Sequence, residues 1–231
     1  MSTSEPVIAR LEQSWAELLS IIDGLRPLLD WSGMPLDLAS LAALAAGLGW
    51  ASGLRLYALV FSLGALHQFA GVQLPGGLDL LGHPLVLGVS GLLLVVEFLA
   101  DKVPFLDALW DTLHTFIRIP AGAALAAAVM GDQGAAAQLA MGLLGGTLAA
   151  GTHLTKVGVR TAINTSPEPV SNVAVSLAED VLVAGGLWTL YAYPLWFLAG
   201  LAGFLVLAAL LMIRLWRFVR ILFRKLTGEA A

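Results

Sequence analysis

The chain has 231 residues, of which 58% are hydrophobic and 12% charged, with a formal net charge of −4. A soluble domain carries about 25% charged residues, so the composition excludes an ordinary water-dissolved globule and indicates an integral membrane protein. With no cysteine in the sequence, disulfides, thiolate metal sites and thiol nucleophiles are excluded as well.

Residues 1–35 do not read as a signal peptide, because Glu5 and Glu12 precede any apolar core. Val7, Ile8, Leu11, Trp15, Leu18, Leu19, Ile22 and Leu25 recur at helical spacing. They predict an amphipathic helix lying at the membrane surface or on the bundle.

Six apolar segments follow, over about 38–69, 84–101, 104–131, 136–160, 171–191 and 194–216. They predict an all-α, polytopic helical bundle spanning residues 36–216, with a basic tail over 217–231. The first segment is longer than the roughly 20 residues a span needs. Gly47, Gly49 and Gly53 mark where it breaks, unless it tilts and protrudes. Pro120 inside the third predicts a kink or break after Arg118.

Lys and Arg are missing from the stretches 71–83, 131–138 and 191–194. They collect at the alternate boundaries, including Lys102, Arg118, Lys156, Arg160 and the run from Arg214 to Lys225. The positive-inside rule then predicts six spans of the inner membrane with both termini cytoplasmic. The polar stretch INTSPEPVSN, from Ile163 to Asn172, becomes a cytoplasmic connection between spans four and five.

Ionisable residues inside a bilayer are costly and face the bundle interior. Here they fall in helical stripes. Glu97 and Asp101 share a face of span two; Asp107, Asp111, His114 and Arg118 share one of segment three. His153, Lys156 and Arg160 do so on span four, and Asn172, Ser176 and Glu179 on span five beside Asp180. The expected polar site in the cytoplasmic half comprises Arg55, Glu97, Asp101, Asp107, Asp111, His114, Lys156, Arg160, Asn164, Glu168, Asn172, Glu179 and Asp180. Segment 104–118 has an ordinary alternative, a surface helix with its charges in water.

Asp107, Asp111 and His114, with Glu97 from the next helix, have a spacing weakly suited to a divalent cation. No catalytic motif accompanies it. PFLDALWDTLH and PVSNVAVSLAE, laid proline on proline, superpose Asp107 on Asn172, Asp111 on Ser176 and His114 on Glu179. This predicts parallel hairpin repeats over 84–131 and 136–191. Gly53-Leu54-Arg55 and Gly158-Val159-Arg160 also match, but outside that register.

The blocks ASGLRLYAL, VEFLADKVPFLDALWDTLHTFIRIPAGA and NTSPEPVSNVAVSLAEDVLV resemble an uncharacterised family of small, mainly bacterial membrane proteins, domain-of-unknown-function family 4126. The resemblance covers roughly residues 40–215. It implies a helical membrane protein and brings no substrate, cofactor or assigned residue.

The residues themselves support three readings. The first is a small-solute or ion transporter or channel, with Glu97 and His114 as groups that change protonation. The second is an enzyme acting on a lipid head group with a divalent cation, and the third a scaffold with a structural charge network. No resident cofactor is expected under the first. The expected partners are the bilayer and a small ion or solute, with no nucleic acid. Gly142, Gly145 and Gly146, or Gly200 and Gly203, offer close-contact faces for a homodimer.

Overall fold

The computed structural model describes residues 9, 10, 12–14, 16, 17, 20, 37–103, 105–164 and 169–227. The described residues between 9 and 20 are helical and exposed; most of the predicted N-terminal amphipathic helix lies outside them. From Asp37 onward the described chain is helical, without strands: α1 (Leu38–Ala70), α2 (Pro84–Ala100), α3 (Leu106–Val129), α4 (Ala135–Ile163), α5 (Pro169–Ala192) and α6 (Pro194–Thr227). Short 3₁₀ turns at Leu78–Gly82 and Gly131–Gln133 join α1 to α2 and α3 to α4.

Local chemistry sets these boundaries. Asp37 accepts a hydrogen bond from Ser40 N at 2.7 Å and caps α1. Gly71 closes it in the left-handed conformation at φ 70. His83 Nδ1 accepts from Leu85 N, and Pro84 occupies the first turn of α2.

Among the described residues, four helices are long and apolar enough to cross a membrane: Leu38–Ala70, Leu106–Val129, Val170–Ala192 and Pro194–Arg217. α2 is apolar but shorter, at 17 residues. The distribution of residues is that of a membrane protein turned towards lipid. Leu85, Leu92, Phe116, Leu139, Val181 and Trp196 point outward and are exposed, whereas Glu97, Asp101, Asp111 and Arg118 are wholly buried.

α1 breaks at Arg55, two residues past the last of the three glycines expected to mark the break, and it does more than bend. Arg55 has non-helical angles (φ −141, ψ 67) and divides it into two arms. Along the first arm, a Cβ at Gly47 would touch Leu190 of α5, one at Gly49 Gly145 of α4, and one at Gly53 Thr152 of α4. Along the second, Tyr57 meets Trp110 and His114 of α3. Further on, Phe61 lies against Gly91 of α2, and Gly64 against Leu81 and Leu87. Both series start beside Arg55 and lead to the same far end, where the loop glycine Gly76 touches Ala128 and Val129 at the end of α3. The arms therefore form a V with its vertex at Arg55. Each arm is roughly 22–25 Å long at 1.5 Å per residue.

This corrects the picture of segment one as a single crossing. Its two ends lie at the same end of the bundle, so the described chain enters at the far end. It leaves at the vertex end, where Met212 and Leu215 of α6 reach Gly158 of α4. The first arm is buried almost throughout, from Ser40 to Leu54, because α3, α4, α5 and α6 surround it.

α3 runs unbroken through Pro120, so of the kink or break expected after Arg118 the break is absent. Its stripe of Asp107, Asp111, His114 and Arg118 is buried, so the polar face of residues 106–118 turns to the interior instead of lying in water, and Leu109, Leu113 and Phe116 point outward. Gly142, Gly145 and Gly146 pack on Ala123, Ala126, Ala127 and Gly122 of α3. They serve helix contact within the chain, which removes them as a dimer face; Gly200 and Gly203 have open space around them.

Candidate functional site

The vertex of α1 sits in a buried network of charges. A broken helix leaves its last carbonyls without intrahelical partners, and in a bilayer those groups need other donors. α3 and α4 supply them. Thr152 Oγ1 donates to Trp50 O at 3.0 Å. Arg118 donates to Gly53 O at 3.4 Å and Lys156 Nζ to Leu54 O at 3.3 Å. Cations at this point also face the negative end of the helix dipole. Gly53 is required for the approach, since a Cβ there would stand 1.9 Å from Thr152 Oγ1.

Arg55 links three helices. Its guanidinium pairs with Asp101 at the end of α2, and its Nε lies 2.9 Å from Asp180 of α5. It also pairs with Glu179 at 3.5 Å and donates to Ser176 O and Oγ. Lys156 lies 3.3 Å from Asp101, 3.4 Å from Asp111 and 3.3 Å from Glu179. Arg160 reaches Glu179 at 3.2 Å, Asp101 at 3.7 Å and Asp107 at 3.7 Å. Arg118 pairs with Glu97 at 2.5 Å and Asp111 at 3.1 Å.

Six carboxylates thus share four cations. Several carboxylate oxygens, including Glu97 Oε2, Asp101 Oδ1 and Asp111 Oδ2, are buried without a hydrogen-bond donor. Removing such charges from water costs several kcal/mol per ion, offset only by close pairing. The surplus of carboxylates and their undonated oxygens leave the network with unmet capacity for positive charge.

The connection after α4 closes the network below. Asn164 Nδ2 donates to both oxygens of Asp107, at 3.0 and 3.2 Å. Asn172 Nδ2 donates to Asn164 Oδ1 at 3.1 Å, and Asn172 Oδ1 accepts from Arg160 at 3.3 Å. Asp107 and Asn172, which the repeat alignment superposes, thus both meet Arg160. The polar stretch INTSPEPVSN is part of the site at its two ends; Glu168 lies outside the described residues.

Of the expected residues, Arg55, Glu97, Asp101, Asp107, Asp111, Lys156, Arg160, Asn164, Asn172, Glu179 and Asp180 come together. His114 is buried, but it is turned aside. Its Nδ1 donates to Trp110 O at 2.7 Å, and its ring stacks on Trp110 and meets Tyr57 edge-on. Arg118, His153 and Ser176 belong to the network although the expected set omits them. Their helical spacing with Asp111, Lys156 and Asn172 was the available signal. His153 Nε2 and Thr115 Oγ1 share a hydrogen bond of 2.8 Å, and His153 Nδ1 faces Arg118 at 3.4 Å.

The weak cation set does not converge. Glu97 and Asp111 are held by Arg118, Asp107 by Asn164 and Arg160, and His114 by Trp110. Among the described residues no three His, Asp or Glu are arranged to hold a metal ion.

Residues 42–214 match the family described as "Domain of unknown function (DUF4126)". No curated protein and no solved structure matches the chain.

Proposed function

The chain belongs to the DUF4126 family, whose description assigns no activity, and from its site we propose that it moves a small ion or solute across the membrane. The observation that carries this reading is the V of α1, a discontinuous helix whose vertex lies in a buried, unevenly charged network. Broken helices inside a bilayer occur where backbone lines a site, and transporters build their substrate sites from them. Intramembrane ionisable groups likewise mark pathways for ions and polar solutes. The exposed Arg214, Arg217 and Arg220 lie on the last turns of α6, around and beyond Leu215 at the vertex end, which supports a cytoplasmic orientation for that end in an inner membrane.

The reading is tested by reconstituting wild type and Glu97→Gln in liposomes and following internal pH and trapped-ion release under an imposed gradient. Wild-type flux that disappears in a folded Glu97→Gln protein is the expected result. Flux equal to that of empty vesicles across inorganic ions and small organic solutes contradicts transport.

One observation favours a second reading. Each of the four cations meets at least two carboxylates, as a purely structural network requires. That reading predicts that Glu97→Gln lowers thermal stability while the wild type carries no flux.

A further inference from the structure

A cavity of about 190 Å³ opens between the second arm of α1 and α5. Arg55 and Asp180 lie at its charged end, Ala58, Leu59, Val183, Ala184 and Leu187 form apolar walls, and Ser62 adds a single hydroxyl. Asp180 differs from the other carboxylates of the network, because its side chain is 38% exposed. The cation it meets is Arg55, which Asp101 and Glu179 also claim. The network's excess of carboxylates over cations thus borders the cavity at Asp180, whose other cationic neighbour, Lys102, acts on it without a direct ion pair.

This geometry selects a ligand. An anion would meet Asp180 at the charged end, with Glu179 behind it, and would find Arg55 already shared among Asp101, Glu179 and Asp180. A strongly polar neutral molecule would lose its water against the apolar walls and recover few hydrogen bonds. A positive head with a short hydrocarbon body satisfies both ends. At about 30 Å³ for each water-sized group, the cavity has room for roughly six non-hydrogen atoms.

We propose that the cavity binds the ammonium end of a small aliphatic amine, the nitrogen against Asp180 and the chain along Leu59, Val183 and Leu187. That this amine is also the transported solute rests on the transport reading. An ammonium group reaches such a site either as a free amine or as a lipid head group.

The test is calorimetric titration of the full chain, held in phosphatidylglycerol nanodiscs, with n-butylammonium, n-butanol and butyrate. Butylammonium is expected to bind, the other two not. Asp180→Asn should weaken butylammonium binding by about tenfold or more, through loss of a charge-assisted contact. Ala184→Leu, which narrows the cavity without touching a charge, should weaken it also. Unchanged melting temperatures show that both variants fold.

The titration is repeated in discs containing phosphatidylethanolamine. Equal affinity assigns the site to a free amine; affinity lost only in these discs assigns it to the amine of a lipid head group. No binding of butylammonium, equal binding of butyrate, or affinity unchanged in both variants overturns the proposal. Binding without flux keeps the amine site and removes transport, so the two failures are distinguishable.

Discussion

The interior of this bundle has two ends built on opposite principles. Away from the vertex, the arms of α1 and the loop that follows are held by apolar contact and close backbone approach: Gly47 beneath Leu190, Gly64 beside Leu81, Gly76 against Ala128. At the vertex end, the same helix is held by Arg118, Lys156 and a network of carboxylates. Helix packing in a membrane is achieved well by small residues alone, as the far end demonstrates. The charges at the vertex are therefore more than packing requires, and that surplus is the physical basis for assigning the site there.

The comparison is broken most forcefully at Arg118. Arg118→Met leaves Glu97 and Asp111 without their shared guanidinium, and is expected to destabilise the protein by about 3–5 kcal/mol. Thermal unfolding in detergent measures this. Combining it with Glu97→Gln should recover a clear part of the loss, because the stranded charge is then removed as well. A double variant no more stable than the single one would deny that charge balance governs this end.

A smaller effect is expected along the first arm, where apolar packing alone is disturbed. Gly49→Leu would place a Cβ 2.5 Å from the Cα of Gly145, and overpacking of this kind costs about 1–3 kcal/mol. Gly185→Ala, where nothing lies within 4 Å, is the control and should change stability little. If both glycine variants behave alike, the close packing ascribed to the first arm is wrong.

The smallest effect concerns the cap of the first arm. The Ser40 N–H bonded to Asp37 holds that carboxyl below its ordinary range. A depressed carboxylate stabilises the fold above its unfolded pKa and loses that contribution as pH falls through the folded value. Amide hydrogen exchange over the first turn of α1 should accordingly quicken at acid pH. Asp37→Asn should remove that pH dependence, since asparagine caps without titrating.

Much of this architecture is legible in the sequence, and what escapes has a physical cause. The six helices fall where apolar length and turn residues put them. The polar set is also readable, because residues such as Glu97 and Asp101, or Lys156 and Arg160, repeat at helical spacing and so share faces. The reversal at Arg55 is not readable in the same way. Both arms are equally apolar, so hydropathy runs on through the vertex, and the glycines before it mark a break without giving its angle. His114 illustrates the other limit. Its position in the stripe puts it inside the bundle, but Trp110, one turn before it, takes its Nδ1–H. Arg118 was visible on the same stripe; its role at Gly53 O depends on the vertex, which no spacing within α3 reveals.

The claim on which the rest depends is that α1 doubles back at Arg55. The chain has no native cysteine, so single cysteines can be placed at Asp37, Gln73 and Thr161 and treated in intact cells with a membrane-impermeant maleimide. The V predicts that Asp37→Cys and Gln73→Cys react alike and Thr161→Cys oppositely. If Asp37→Cys instead reacts like Thr161→Cys and opposite to Gln73→Cys, α1 is a single crossing. The vertex, and the site built on it, would then be refuted.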